Sequence, residues 1–136
     1  MIYSITSSVD ATMYEQYENR NTGLDEVVQI EKIISESSTN NTFNSRILTK
    51  FDLENISQSI VDGHIAPTFT AKLKLYTHQA VAIPYTYQIS AYAVSQSWEM
   101  GIGRSTHNPK TKEGVSWTYR DGISAATTWQ TASAAM

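Results

Sequence analysis

The sequence predicts an all-β protein, an antiparallel β-sandwich of jelly-roll type. Short runs of alternating apolar and polar residues recur along the chain, and clusters of turn-forming residues separate them. Asn, Ser and Thr are also frequent, and these residues favour turns and strand ends over helix interiors. The length of 136 residues corresponds to about one domain.

The clearest strand is predicted at residues 69–76. Leu73 and Leu75 share one face of this segment, whereas Lys72 and Lys74 lie on the other. This alternation is typical of an antiparallel strand with one buried and one solvated face. Residues 47–53 show the same pattern. From the two segments we expect three apolar side chains in the core: Phe51, Leu73 and Leu75.

Two further segments are predicted as strands. Residues 26–35 fit a helical stripe and a strand face equally well, but Val and Ile are stiff at χ1 and favour the pleated surface. Residues 85–94 are apolar on both faces, which indicates a strand covered on both sides. A loop of the same chain is the favoured cover, and a partner subunit is the alternative.

The predicted domain spans residues 1–122. Residues 123–136 are rich in Ala, Ser and Thr and are assigned as a C-terminal extension, either the start of further strands or a linker to a longer chain. Residues 53–68 and 101–113 are predicted as long loops. Long loops on a rigid sandwich are where binding usually occurs.

Composition argues against several classes of partner. The net charge is −3, whereas tracking a phosphate backbone requires clustered Lys and Arg. The nearest approach to such a cluster is a loop that we interpret as solvated, with Arg104, His107, Lys110 and Lys112. The N-terminus lacks a basic region and an apolar run, and no segment approaches the ~20 apolar residues of a membrane helix. We therefore expect no nucleic-acid partner, no membrane and no signal peptide.

The sequence also shows no pattern typical of catalysis. His64, His78 and His107 are far apart and lack the spacing of zinc ligands, and the chain contains no Cys. No Ser lies in the glycine-flanked turn of a nucleophile elbow. We expect no enzymatic activity, no cofactor and no transition metal. A structural calcium held by loop carboxylates is compatible with the sequence, because oxygen ligands need no short motif.

The aromatic content offers a candidate contact site. Trp98, Trp117 and Tyr119 fall in one predicted region, and aromatic faces suit the apolar face of a sugar ring. They are candidates for contact with a glycan or a partner. Packing in the core and at strand ends is the simpler interpretation and the favoured one.

Several motifs in order carry a family resemblance. They are Arg-x-Leu-x-x-Phe-Asp-Leu at 46–53 (Arg46, Leu48, Phe51 to Leu53), Leu-x-Leu-Tyr at 73–76, Ser-Trp-Glu at 97–99 and Gly-Val-Ser-Trp at 114–117. The stretches at 10–14 and 21–23 also fit. The chain resembles the DNRLRE-type jelly-roll domain, especially in structural proteins of tailed marine and cyanobacterial bacteriophages. The resemblance runs from about Val9 to Trp129.

The resemblance implies a β-sandwich on a virion, with no catalytic residues to carry over. Domains of this type usually continue beyond the Trp117 region with strands that close the sandwich. Here the sandwich is expected to be incomplete or to be completed by a neighbouring subunit, since open strand edges invite pairing with another chain.

We therefore expect a virion protein that forms homo-oligomers and contacts other virion proteins. Attachment at the tail, neck or fibre is the first expectation, because an incomplete domain suits an anchor. Capsid decoration is one alternative. A carbohydrate-binding module for host surface polysaccharide is the alternative from another class.

Overall fold

The computed structural model describes residues 2–34, 42–66, 68–81, 83 and 86–130. Its regular elements, in chain order, are strand β1 (Ser7–Tyr14), a 3-10 helix (Glu15–Tyr17), strands β2 (Lys32–Ile34) and β3 (Thr42–Phe51), and helix α1 (Glu54–Val61). The chain divides into two compact units. The first holds the described residues within 1–51 and 95–136, and the second holds those within 52–94.

The first unit is organised around a three-stranded antiparallel sheet in the order β1-β3-β2. In the β1–β3 pair, Ala11 lies opposite Leu48 and Met13 lies opposite Arg46, with a register shift between Ser7 and Val9. The predicted antiparallel β class is thus confirmed for this one sheet. The described residues also contain one short α-helix. β1 itself was not predicted, although Val9, Ala11 and Met13 recur with a period of two.

The core of the first unit lies on one face of this sheet. Its buried side chains come from β1, β3 and the segment after residue 95: Ala11, Met13, Leu48, Trp98 and Val115. Four half-buried side chains pack against them: Val9, Met100, Trp117 and Trp129. The inward face of β3 is therefore the one that carries Leu48, whereas Phe51, expected in the core, is only half-buried.

Arg46 lies on the same face of β3 as Leu48, with its side chain exposed. The Arg46 guanidinium lies 4.5 Å from the ring centroid of Trp117, a cation–π contact. An arginine stem packs on apolar surface while its charged group stays accessible. Arg46 thus belongs to the core face although its residue type suggests the solvated one.

The outer edge of β1 is covered by a side chain rather than by another strand. The Thr22 hydroxyl accepts a hydrogen bond from the Thr12 N–H (3.2 Å) and donates one to the Thr12 carbonyl (2.7 Å). Both residues are buried. This pair of bonds uses the main-chain groups with which another strand would pair at this position.

The predicted strand at 26–35 is confirmed only in part. Lys32–Ile34 form β2 and pair with β3, whereas residues 26–31 are not a strand, and Ser35 lies outside the described residues. Side chains take over where strand pairing stops. The Ser45 hydroxyl accepts the Glu31 N–H at 2.7 Å and donates to the Gln29 carbonyl at 2.9 Å.

Residues 95–130 are largely irregular and complete the first unit. Their regular pairing is a single bridge between Tyr119 and Thr128. The Arg120 N–H donates to the Thr127 carbonyl at 2.8 Å, so the described part of the predicted C-terminal extension, residues 123–130, is hydrogen-bonded to residues that precede it.

The second unit begins with a helix inside the predicted loop at 53–68. The Asp52 carboxylate accepts the Glu54 N–H at 3.0 Å just before α1, and Glu54 lies in its acidic first turn. Both features favour a helix N-terminus. The i, i+4 spacing of Ile56 and Ile60 was a further helical signal in the sequence.

The predicted strands at 69–76 and 85–94 are wrong for the described residues. Residues 69–76 and 86–94 form neither strand nor helix, and Leu73 and Leu75 are exposed rather than in the core. The alternation of side chains is present, but a strand also needs a hydrogen-bonding neighbour. The described residues provide none for these segments, so they contain one sheet, and the sandwich stays a prediction.

Candidate functional site

The most highly connected polar side chain in the first unit is Asn21, which is fully buried. Its amide nitrogen donates to the carbonyls of Met100 (2.7 Å) and Val115 (2.8 Å). Its amide oxygen accepts the N–H groups of Gly103 (2.7 Å) and Gly23 (3.3 Å). All four hydrogen-bonding positions of the side chain are used. Asn21 therefore fastens the loop after β1 to two distant loops.

Glycines allow these loops to approach so closely. Gly101 (φ 76°) and Gly114 (φ 96°) lie in the left-handed region, which a side chain strongly disfavours. A Cβ on Gly114 would overlap the Gly101 Cα and lie 2.6 Å from Asn21 Nδ2. We call Asn21, Gly101, Gly103 and Gly114 the Asn21 junction. Its polar groups are paired with one another, so its role is structural.

The three candidate contact aromatics occupy different environments. Trp98 is a core residue, only 9% exposed. Trp117 packs against the same core, half-buried, beside the Arg46 guanidinium. Tyr119 is half-buried and lies on the bridge with Thr128. The structure thus brings Trp98 and Trp117 together around one core cluster.

Trp129, which the sequence analysis did not single out, completes this aromatic group. Its indole N–H donates to the Ser116 carbonyl at 3.0 Å, and its ring packs against the core cluster. This arrangement, with an apolar body inside and a paired N–H, is the usual way that Trp is accommodated at the margin of a core. Trp129 is distant along the chain from the predicted strands, so this role could not be expected from the sequence.

The loop with the basic residues is partly engaged within the first unit. Lys110 Nζ donates to the Ser105 carbonyl, and Arg104 lies 3.7 Å from the Glu26 carboxylate. His107 Nδ1 lies 3.0 Å from the Thr111 hydroxyl. An open pocket of about 220 Å³ adjoins this loop; Lys110 and Lys112 line it together with residues 17–20.

One titratable group has a clearly altered pKa. Burial of Tyr14, followed by the charges of Glu31 and Asp25, raises the pKa of its phenol from 10.0 to about 12. Its hydroxyl donates to Gln29 Oε1. The neutral phenol is therefore the form that this part of the sheet accommodates.

No group of three or more His, Asp or Glu side chains is placed to hold a metal ion within the part of the chain that the structure describes. No helix in these ranges is both long and apolar enough to cross a bilayer.

The second unit exposes many large apolar side chains. We call the described residues of 68–94 the apolar segment. Tyr76 and Tyr92 are 89% and 85% exposed. Eight other large apolar side chains in the segment are also exposed: Phe69, Leu73, Leu75, Val81, Ile83, Tyr87, Ile89 and Val94. Exposed apolar side chains in this number are typical of an interaction site in soluble proteins.

Comparisons with known proteins add no relative to this picture. No protein-family model matches the chain, and neither the curated proteins nor the solved structures gave a significant match.

Proposed function

We propose that this chain is a non-enzymatic structural protein of a tailed-bacteriophage virion, and that it assembles with copies of itself and with other virion proteins. The observation that carries the proposal is the apolar segment. Its exposed aromatic and aliphatic side chains have the character of an interface core, which is enriched in aromatic residues and depleted of charge. The motif resemblance to phage structural domains supplies the biological setting.

The proposed assembled fold is a β-sandwich. The first unit supplies a three-stranded sheet, and the apolar segment has the side-chain pattern of further strands. Strands form when the backbone groups find partners, and assembly is a common source of such partners. The jelly-roll class predicted from the sequence is retained here as part of the proposal.

Localisation on particles tests the virion assignment. Antibody against the purified chain, applied to intact phage and viewed by electron microscopy, is expected to label the tail, neck or fibre base. Labelling of the head would instead identify a capsid decoration protein. Antibody bound to infected-cell lysate but to no purified particle would reject the virion assignment.

The carbohydrate-binding alternative has its own test. A binding module would retain host surface polysaccharide on the purified chain, and Trp117→Ala would abolish that retention. We expect no retention by either form, because Trp98 is buried and Trp117 is half-buried against the same core.

A further inference from the structure

The side chains of the apolar segment alternate as they do in a strand, but its described backbone is not paired with a strand. Within the described residues of 68–94, no main-chain N–H or C=O is hydrogen-bonded to another described residue. The first unit differs sharply, since its irregular loops carry many backbone hydrogen bonds. The apolar segment therefore combines exposed apolar side chains with main-chain groups that have no hydrogen-bond partner among the described residues.

The exposed area of the segment matches that of a stable interface. Four of its aromatic side chains are at least 60% exposed, and each such ring buries roughly 150–250 Å² when it is covered. Together with the exposed Leu, Ile and Val side chains they approach the ~800 Å² per partner of a standard protein interface. One partner surface of similar size is enough to cover it.

Charge disfavours the pairing of residues 69–76 with a second copy of the same segment. Residues 69–76 carry Lys72 and Lys74 on one face and no acidic residue, whereas residues 86–94 carry no charge. If two copies of 69–76 paired antiparallel about Leu73, each Lys72 would lie opposite a Lys74, and like charges in that position are destabilising. Pairing 69–76 with 86–94 avoids this repulsion.

Resting on the proposed function, we propose that residues 69–76 of one copy pair as an antiparallel strand with residues 86–94 of a second copy. A twofold axis then repeats the contact, so that each copy gives one strand and receives the other. An isolated two-stranded hairpin is marginally stable at best. A second copy provides both the pairing and the cover.

The first test compares matched substitutions in the full chain. Ile89→Lys places a charge in the proposed interface, whereas Ile102→Lys makes the same change at an exposed isoleucine of the first unit. Sedimentation velocity is expected to show a concentration-dependent dimer for the parent chain and for Ile102→Lys. Ile89→Lys should weaken dimerisation at least tenfold. A monomeric parent at high micromolar concentration, or equal effects of the two substitutions, would overturn the inference.

A second test identifies the strands that meet, using the absence of cysteine from the chain. Lys72→Cys and Ser90→Cys are made in separate, differently isotope-labelled preparations, mixed and oxidised. Mass spectrometry is expected to find the 72–90 disulfide between chains in excess over both homodisulfides. A predominant 72–72 link would refute the cross-pairing. So would a double variant that closes only within one chain.

These results separate the inference from the proposed function. If antibody labels the particles but Ile89→Lys leaves dimerisation unchanged, the strand pairing is rejected and the virion assignment is retained. If Ile89→Lys abolishes the dimers but antibody labels no particle, the strand pairing is retained and the virion assignment is rejected.

Discussion

The Asn21 side chain donates a 2.8 Å hydrogen bond to the carbonyl of Val115, 94 residues further along the chain. Both residues are fully buried. A single amide thus joins the loop after β1 to the segment that carries Gly-Val-Ser-Trp, one of the motifs behind the family resemblance. The physical content of that motif is a glycine that admits the amide and a carbonyl that accepts from it.

Removal of the Asn21 amide is expected to destabilise the first unit strongly. Asn21→Ala leaves the buried carbonyls of Met100 and Val115 without a donor, and an unsatisfied buried group costs about 1–3 kcal/mol. We expect a loss of about 2–5 kcal/mol in chemical denaturation. Asn19→Ala is the matched control, because Asn19 is exposed. Similar losses in the two variants would contradict the assigned role.

A second prediction separates backbone strain from steric overlap. Gly114→Ala meets both a left-handed φ and the atoms of Gly101, so we expect a cost of about 2–5 kcal/mol. Gly63 has a similar φ of 75° but no atom within 4 Å of the added Cβ. Gly63→Ala should therefore cost only about 1–2 kcal/mol. Unfolding monitored by tryptophan fluorescence and circular dichroism checks both, and the order of the two losses is the decisive result.

Two leucines provide a test of where the core lies. Leu48 is 6% exposed, and Leu48→Ala is expected to cost about 2–5 kcal/mol through lost burial and a cavity. Leu73 is 54% exposed, so Leu73→Ala should change the stability of a dilute sample by no more than about 0.5 kcal/mol. Thermal melts at low protein concentration measure both. A large loss of stability for Leu73→Ala under these conditions would show that Leu73 is a core residue.

Tyr14 predicts an alkaline limit to stability. Because its pKa in the folded chain is raised to about 12, the folded state disfavours the phenolate. The resulting stability is fully present below pH 10, the ordinary pKa, and is lost as the pH rises towards 12. Urea denaturation across this range is expected to show a steeper fall for the parent chain than for Tyr14→Phe. Parallel curves would show that Tyr14 does not contribute.

The sequence permitted a sound prediction of the strand class but not of which segments pair. The alternation at 47–51 marks β3, yet Leu48 rather than the expected Phe51 is the buried residue. The same alternation at 69–76 does not produce a strand, since pairing depends on a neighbour that a local pattern does not specify. Local patterns report side-chain preference, whereas pairing depends on residues that are remote along the chain.

The Asn21 junction lay beyond prediction for a different reason. Asn21-Thr22-Gly23 has the composition of an ordinary turn. What distinguishes it is the approach of Gly103 and Val115, which are remote along the chain. By contrast, α1 was recoverable, since Asp52, Glu54 and the Ile56–Ile60 spacing are local signals.

The first unit is built from two separate stretches of the chain, residues within 1–51 and 95–136, and this has a consequence during translation. At about 5–20 residues per second, roughly 5–20 s pass between synthesis of Asn21 and synthesis of its acceptor at Val115. During this interval the residues from 95 onwards, which complete the first unit, have not yet all been synthesised. The Thr22 hydroxyl on Thr12 is only ten residues away along the chain, so this bond is available from the start. This short-range contact occupies the main-chain groups of Thr12 before the long-range partners of Asn21 are synthesised.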